Sequence, residues 1–269
     1  MNQIAVANET IRITERGCYE VNGKTVSLPA LDYRKVLVIT PEQGAAAVQA
    51  FRQQEGDVCR FEVTHEDSFT AARALGGKPL VMNFANAHHA GGGFRLGANA
   101  QEEALCRCST LYASLTSEAA KEMYRYNNTH LSAVESDYML LSPDVCVFRN
   151  QQCELLEQPF MAGVITAPAP NRRGAAVFAS SAKIQETFER RIRILLAAAA
   201  QNGYRDLVLG AWGCGAFGNK PEVVAGAFRK ILVQERFGTA FDRVRFALYG
   251  NPKGKNYCTF ASVFGAEQE

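Results

Sequence analysis

Two adjacent carboxylates, Glu102 and Glu103, follow closely on a run of three glycines, Gly91-Gly92-Gly93. Three consecutive positions without a Cβ can take positive φ and let a ligand approach backbone N–H groups closely. A helix beginning near Gln101 adds free N–H groups and the positive end of its dipole, a setting suited to a diphosphate. Carboxylates beside such a cradle can serve a glycosidic bond. Its cleavage needs an acid for the leaving oxygen and negative charge near an oxocarbenium-like centre. Consecutive helical residues point about 100° apart, so the two carboxylates would hold different jobs. The plain alternatives are a tight turn for the glycines and ordinary dipole preference for acids in a first helical turn.

A second glycine loop lies in LVLGAWGCGAFGNKPE. Gly213, Gly215 and Gly218 satisfy G-x-G-x-x-G after a strand and before a helix, the pattern of a dinucleotide turn. Such fingerprints usually sit in the first βαβ unit and carry an acidic residue about 20 positions on, at the end of the next strand. Here the loop comes late, and Glu235 falls in or just after the following helix. The loop reads as a second phosphate cradle, with Ala216 and Phe217 in its middle. Phe217 is either a hydrophobic plug or a wall facing the ligand.

These loops need elements to hold them. The first 35 residues read as strands, TIRIT and CYEV, then KTVSL after an Asn22-Gly23 hairpin signal. Strands are then expected at 36–39, 60–63, 79–84, 138–148, 162–166, 207–211 and 244–249. Helices are expected from Thr40-Pro41 to about 53, near 68–75, from 101 to about 125, through Ile184, Phe188, Ile192 and Leu195, and after Asn219-Lys220-Pro221. Alternating strand and helix implies a three-layer α/β/α domain with a mixed, mostly parallel sheet, and ligands in such sheets bind beyond the carboxyl ends of the strands. The expected domain is residues 1–269, with 1–35 as a β-rich extension.

Composition narrows the function classes. The 269 residues are 47% hydrophobic and 21% charged, with 29 Lys+Arg against 27 Asp+Glu, which excludes wholesale disorder. A net charge of +2 supplies little phosphate attraction, so no direct nucleic-acid binding is expected. No window of about 18 apolar residues reads as a membrane span. The first residues, MNQIAVANETIRITERG, have no apolar core of a secretory signal, and a cytoplasmic protein is expected. Cys18, Cys59, Cys106, Cys108, Cys146, Cys153, Cys214 and Cys258 include no C-x-x-C and read as reduced, mostly buried thiols. Neither a metal nor another cofactor is expected.

NFAN, then GGG, then seven residues, then QEE resembles the signature of the bacterial-type poly(ADP-ribose) glycohydrolases, a macrodomain-related family. The likeness runs from the N-terminal segment through GAWGCGAFGN to the last strand. Where related sequences commonly carry Pro before the glycines, this chain has Ala90. The resemblance implies a macrodomain core that hydrolyses ribose–ribose bonds of poly(ADP-ribose), or acts on an ADP-ribosylated macromolecule, and releases ADP-ribose. It implies Glu103 as the catalytic acid and Glu102 as the holder of the ribose hydroxyls. Asn86 would lie near the distal ribose, Gly91, Gly92 and Gly93 would form the catalytic loop with Gln101 beside it, and Gly213, Gly215, Ala216, Phe217 and Gly218 would bind the diphosphate. A non-catalytic ADP-ribose reader and a hydrolase of another ADP-ribosyl linkage are the alternatives.

Weaker candidates surround these. Asp67 reads as a helix cap rather than an adenine contact, and Tyr249 as core rather than an adenine stack. His88 and His89 are loop residues. Arg95 and Lys220 divide evenly between phosphate and solvent. Arg190, Arg191 and Arg193 read as a solvated helix face.

Overall fold

A computed structural model describes residues 2–265; residue 1 and residues 266–269 of the expected 1–269 domain lie outside it. The first element corrects an expectation. Gln3–Arg16 is a helix, α1, although TIRIT alternates β-branched residues as a strand would. The longer window decides: Val6, Thr10 and Ile13 are buried at helical spacing. Asn2 caps the start by accepting from Ile4 N and Ala5 N, and Gly17 stops the helix at φ 70°. The hairpin does form. Strands β1 (Cys18–Val21) and β2 (Lys24–Ser27) pair antiparallel across Asn22 and Gly23, both at positive φ. The extension is therefore a helix plus a hairpin.

The main sheet has seven strands: β3 (Leu37–Ile39), β4 (Arg60–Thr64), β5 (Leu80–Ala85), β6 (Met139–Arg149), β7 (Leu155–Pro168), β8 (Asp206–Leu209) and β9 (Arg243–Ala247). Their order is β3-β6-β7-β5-β8-β9-β4. The β3–β6 and β6–β7 pairs are antiparallel, and the other four are parallel. One face is covered by α2 (Pro41–Ala50), α7 (Ser181–Gln201), α8 (Pro221–Arg229) and α9 (Lys255–Phe264). The other is covered by α1, α3 (Ser68–Leu75), α4 (Gln101–Cys108), α5 (Leu111–Leu115) and α6 (Lys121–Thr129). Apolar side chains fill both interlayers, which is the three-layer fold expected of the alternating pattern.

Local chemistry explains several boundaries. Thr40 and Gln43 form a capping box ahead of α2. The single helix expected from 101 to about 125 is instead three, because Thr110 leaves the helix to exchange hydrogen bonds with the Cys146 backbone on β6. Helix α9 was not anticipated; Phe260 and Phe264 pack on Phe246 of β9. The arginine face of α7 is also corrected. Arg191 is fully buried, donates to Asp137, Pro168 O and Val134 O, and shares Asp137 with Arg190. Arg193 forms a two-point pair with Glu235. The chain between α6 and β6 folds over this face, so the charges meet partners instead of water. Removing Asp137 from the buried Arg191 costs about 3–5 kcal/mol.

Candidate active site

The two glycine loops leave neighbouring parallel strands. Strands β5 and β8 pair side by side, and each loop begins where its strand ends, after Ala85 and after Leu209. Adjacent carboxyl ends of parallel strands are where an α/β sheet offers a crevice, and here both walls are glycine loops.

Gln101, Glu102 and Glu103 open helix α4. Gln101 is engaged at both ends of its amide. Its Oε1 accepts from Phe84 N at 2.9 Å, and its Nε2 donates to Met82 O at 2.8 Å and Ser68 Oγ at 3.1 Å. The side chain thus clamps the helix start to β5. Glu102 turns toward the strand end and is 3% exposed. Its Oε2 accepts from Asn86 N at 2.8 Å, and its Oε1 faces Asn83 Nδ2 at 3.4 Å. Burial pushes its carboxyl up to about 8, against the hydrogen bonds from Asn86 and Asn83. Glu103 turns toward the glycine loop. Its Oε1 accepts from Gly93 N at 2.9 Å and its Oε2 from Ala100 N at 3.0 Å. The second bond also satisfies a free N–H at the helix start.

The loop shows why glycine is required. Gly91 and Gly92 sit at φ 70° and 56°. A Cβ on Gly92 would run into Glu103 Oε1 and come within 3.1 Å of Glu102 Oε2, so the main chain lies directly against both carboxyls. A Cβ on Gly91 would strike the Tyr112 ring at 2.9 Å, and one on Gly93 would meet Ala98 at 2.6 Å. Asn86 Oδ1 accepts from His88 N and His89 N, a side-chain-closed turn that sets the entry to the loop. His88 and Asn128 of α6 are joined by two hydrogen bonds.

The second loop stands on a rigid base. Trp212 is fully buried and donates Nε1–H to Ala167 O. Asn219 Nδ2 ties Gly213 O to Pro170 O. Gly213 and Gly218 take φ near 70°. Between them, Gly215 and Ala216 are exposed, with open space where a Gly215 Cβ would stand. Phe217 is half-buried against the core, and its carbonyl accepts from Arg172 N.

Other candidates separate. Asp67 caps α3 by accepting from Phe69 N and Thr70 N. Tyr249 is 75% exposed beyond β9, which corrects its reading as core, and it borders a cavity of about 240 Å³ with Asn251 and Tyr257. Arg95 and Lys220 are exposed. A larger cavity, about 390 Å³, is bordered by Tyr126, His130, Glu135 and Lys183 and includes neither Glu102 nor Glu103. Among the described residues no cluster of His, Cys, Asp or Glu is arranged to hold a metal ion.

Asn83 was not anticipated. It is fully buried between Glu102 and Thr166, its Nδ2 reaches both, and its Oδ1 has no partner. A polar residue inside the otherwise apolar strand LVMNFA was the available signal.

A family model described as microbial-type PARG, catalytic domain, matches residues 7–150, just over half of the chain. No curated protein sequence matches. Among solved structures, the chain is similar to the poly(ADP-ribose) glycohydrolase of Thermomonospora curvata, at 38% identity over 97% of this chain and 99% of that one, TM-score 0.91. The same protein bound to the inhibitor ADP-HPD matches at 38% identity, 97% and 98% coverage and TM-score 0.89. The poly(ADP-ribose) glycohydrolase of Deinococcus radiodurans in complex with ADP-ribose matches at 38% identity, 90% and 99% coverage and TM-score 0.81.

Proposed function

This chain belongs to the microbial-type poly(ADP-ribose) glycohydrolase family, and from that premise we propose how its own residues hydrolyse the ribose–ribose bonds of poly(ADP-ribose). Glu103 donates a proton to the leaving ribose oxygen as the glycosidic bond breaks. The oxocarbenium-like sugar is met by water, whose proton returns to Glu103. Glu102 accepts from the ribose hydroxyls at the scissile bond and fixes their orientation. Gly91, Gly92 and Gly93 lie against both glutamates. Backbone N–H groups of Gly215, Ala216, Phe217 and Gly218, with Gly213 at the turn, hold the diphosphate. Phe217 supports the terminal ribose, Asn86 lies by the distal ribose, and Gln101 keeps α4 locked to β5.

The observation that carries this reading is the way one loop ties both acids. Gly93 N–H holds Glu103, Asn86 N–H holds Glu102, and Gly92 passes between them. Protein groups thus orient the two carboxyls before substrate arrives, as a preorganised site requires.

One observation favours a second assignment of the proton. Burial holds the Glu102 carboxyl up to about 8, so Glu102 carries a proton at neutral pH in the free protein. Purified poly(ADP-ribose) and two variants separate the readings. Glu103→Gln is expected to lower kcat by about 10²–10⁴-fold with polymer binding retained. If Glu102→Gln abolishes turnover while Glu103→Gln alters only KM, Glu102 is the donor. Retained polymer binding without ADP-ribose release by the wild type would make the chain a reader or an enzyme for another linkage.

The finer reading is a single catalytic domain, residues 1–269 with 1–35 as its extension, cutting polymer from its ends. The helix of the extension supports it by packing beside the catalytic helix, since Thr10 Oγ1 donates to Arg107 O, while the hairpin lies on β7 through Tyr19 Oη and Leu156 O. Early release of multi-unit oligomers would refute end-cutting. Among the described residues no helix is long and apolar enough to cross a membrane. Cytoplasmic residence belongs to the same proposal, supported by eight free cysteines.

A further inference from the structure

Between β7 and α7, residues 169–180 form a surface turn whose side chains the reaction above does not use. Its backbone is fixed. Asn171 O accepts from Gly174 N at 3.0 Å and from Ala176 N at 2.9 Å, and Asn171 Oδ1 accepts from Arg173 N at 3.1 Å. Ala176 is fully buried and anchors the turn on the core. From this docked turn Phe178 projects with 97% of its surface exposed, more than any other Phe, Tyr or Trp among the described residues. Val177 beside it is half-exposed. A ring held out in water forgoes the burial that stabilises an ordinary Phe. Such an apolar tip rimmed by charge marks a place where something binds.

Arg172 and Arg173 stand on the same turn. Among the described residues neither guanidinium is ion-paired, whereas Arg190, Arg191 and Arg193 of the adjoining α7 all are. Arg173 lies along the second glycine loop: a Cβ on Gly218 would meet its Nε at 3.1 Å and its Cγ at 3.3 Å. Arg172 N donates to Phe217 O at 3.0 Å, and Pro170 O accepts from Asn219 Nδ2 at 2.8 Å. The turn is thus fastened to the loop assigned to the diphosphate. It rises from β7, which flanks β5 on the side away from β8. In that assignment the terminal unit lies on the β8 loop, with its ribose against Phe217 and its glycosidic bond at the glutamates. The rest of the polymer starts at that bond, and the turn holds the carbonyl of the same Phe217.

We propose that this turn binds the next unit of the polymer, the adenosine diphosphate moiety on the leaving side of the scissile bond. The inference rests on the reading above that the chain binds poly(ADP-ribose). Phe178 stacks on the adenine, and Arg172 and Arg173 pair with the diphosphate. Every unit of the polymer brings one base and one diphosphate, so one free ring beside two free guanidinia matches one unit. The surface makes the protein prefer a chain to free ADP-ribose without touching the reacting atoms.

The test measures two ligands separately. Poly(ADP-ribose), immobilised through its acceptor end, is titrated with the Glu102→Gln, Glu103→Gln double variant, which carries neither candidate proton donor. The same protein bearing Phe178→Ala, or Arg172→Gln with Arg173→Gln, is compared with it. Free ADP-ribose is titrated by calorimetry into the corresponding surface variants of the wild-type chain. Phe178→Ala is expected to weaken polymer binding about tenfold. The arginine pair should weaken it about tenfold at low salt and flatten the dependence of affinity on salt. ADP-ribose affinity should stay within about twofold of wild type in both. Unchanged polymer binding would overturn the proposal. So would a parallel loss of ADP-ribose affinity, which would place these residues at the terminal unit. Equal competition by single-stranded poly(A) would make the turn a general nucleic-acid surface and overturn it as well. Failure of the wild type to bind ADP-ribose, seen in the calorimetry alone, would refute the reading beneath the proposal and the proposal with it.

Discussion

The two glycine loops leave neighbouring strands yet are built differently. In the first, backbone and carboxyl are pressed together: Gly92 touches the space of both glutamates, and both carboxyl oxygens of Glu103 accept from main-chain N–H. In the second, the ends are pinned by Trp212 and Asn219 while the middle, Gly215-Ala216, faces open space. A run of glycines can therefore mean opposite things. One makes room for the protein's own side chains. The other leaves room for a ligand.

Alanine substitution is the sharpest way to break that contrast. Gly92→Ala puts a side chain at φ 56°, costing about 1–2 kcal/mol of backbone strain, and displaces both carboxyls. Turnover should fall about a hundredfold or more. Gly215→Ala, with free space around it, should change kcat by less than about twofold. Equal losses in steady-state kinetics would erase the distinction between the loops.

A smaller effect is expected at Phe217. The aromatic is half-buried against the core, so Phe217→Ala should raise KM about tenfold and lower kcat less. Binding of ADP-ribose measured by calorimetry should weaken in parallel. An unchanged affinity would make Phe217 a plug and leave the open loop to its backbone alone.

A separate effect is thermodynamic and belongs to the first loop. Glu102 holds its proton in the folded chain up to about 8, against 4.5 for an ordinary glutamate. Between those values the native state binds more protons than the unfolded state, so this group's stabilising contribution is complete below about 4.5 and is lost as pH rises to about 8. Glu135, pushed up to about 7 by burial, adds to the same slope. Urea midpoints across this window should fall less steeply in Glu102→Gln than in wild type. The difference approaches about 1.4 kcal/mol per pH unit. Parallel curves would mean that Glu102 is already ionised at neutral pH.

Much of the frame was legible as local pattern. The Asn22-Gly23 hairpin, the Thr40-Pro41 helix start, the α7 stripe and the two loops at strand ends follow from conformational preference and periodicity, which act over a few residues. The QEE triplet at a helix start behind three glycines carried the family and the chemistry. What failed was local evidence that competed with a longer range. TIRIT alternates like a strand, but Val6, Thr10 and Ile13 bury one side of a helix because α1 packs beside α4. Arg191 belongs to a charged run and is nevertheless enclosed, because the segment before β6 folds over it.

The amino-acid sequence by itself determined which chemical groups this protein has and the short-range geometry that brings Glu102 and Glu103 to the start of one helix. Tertiary structure alone decided what those groups do. It seats Asn83 beneath Glu102 and spends Gln101 on β5. The physical reason is range. Propensity and capping are settled within a turn or two of chain, whereas burial, charge pairing and proton affinity depend on whatever distant segment supplies the other half of the contact.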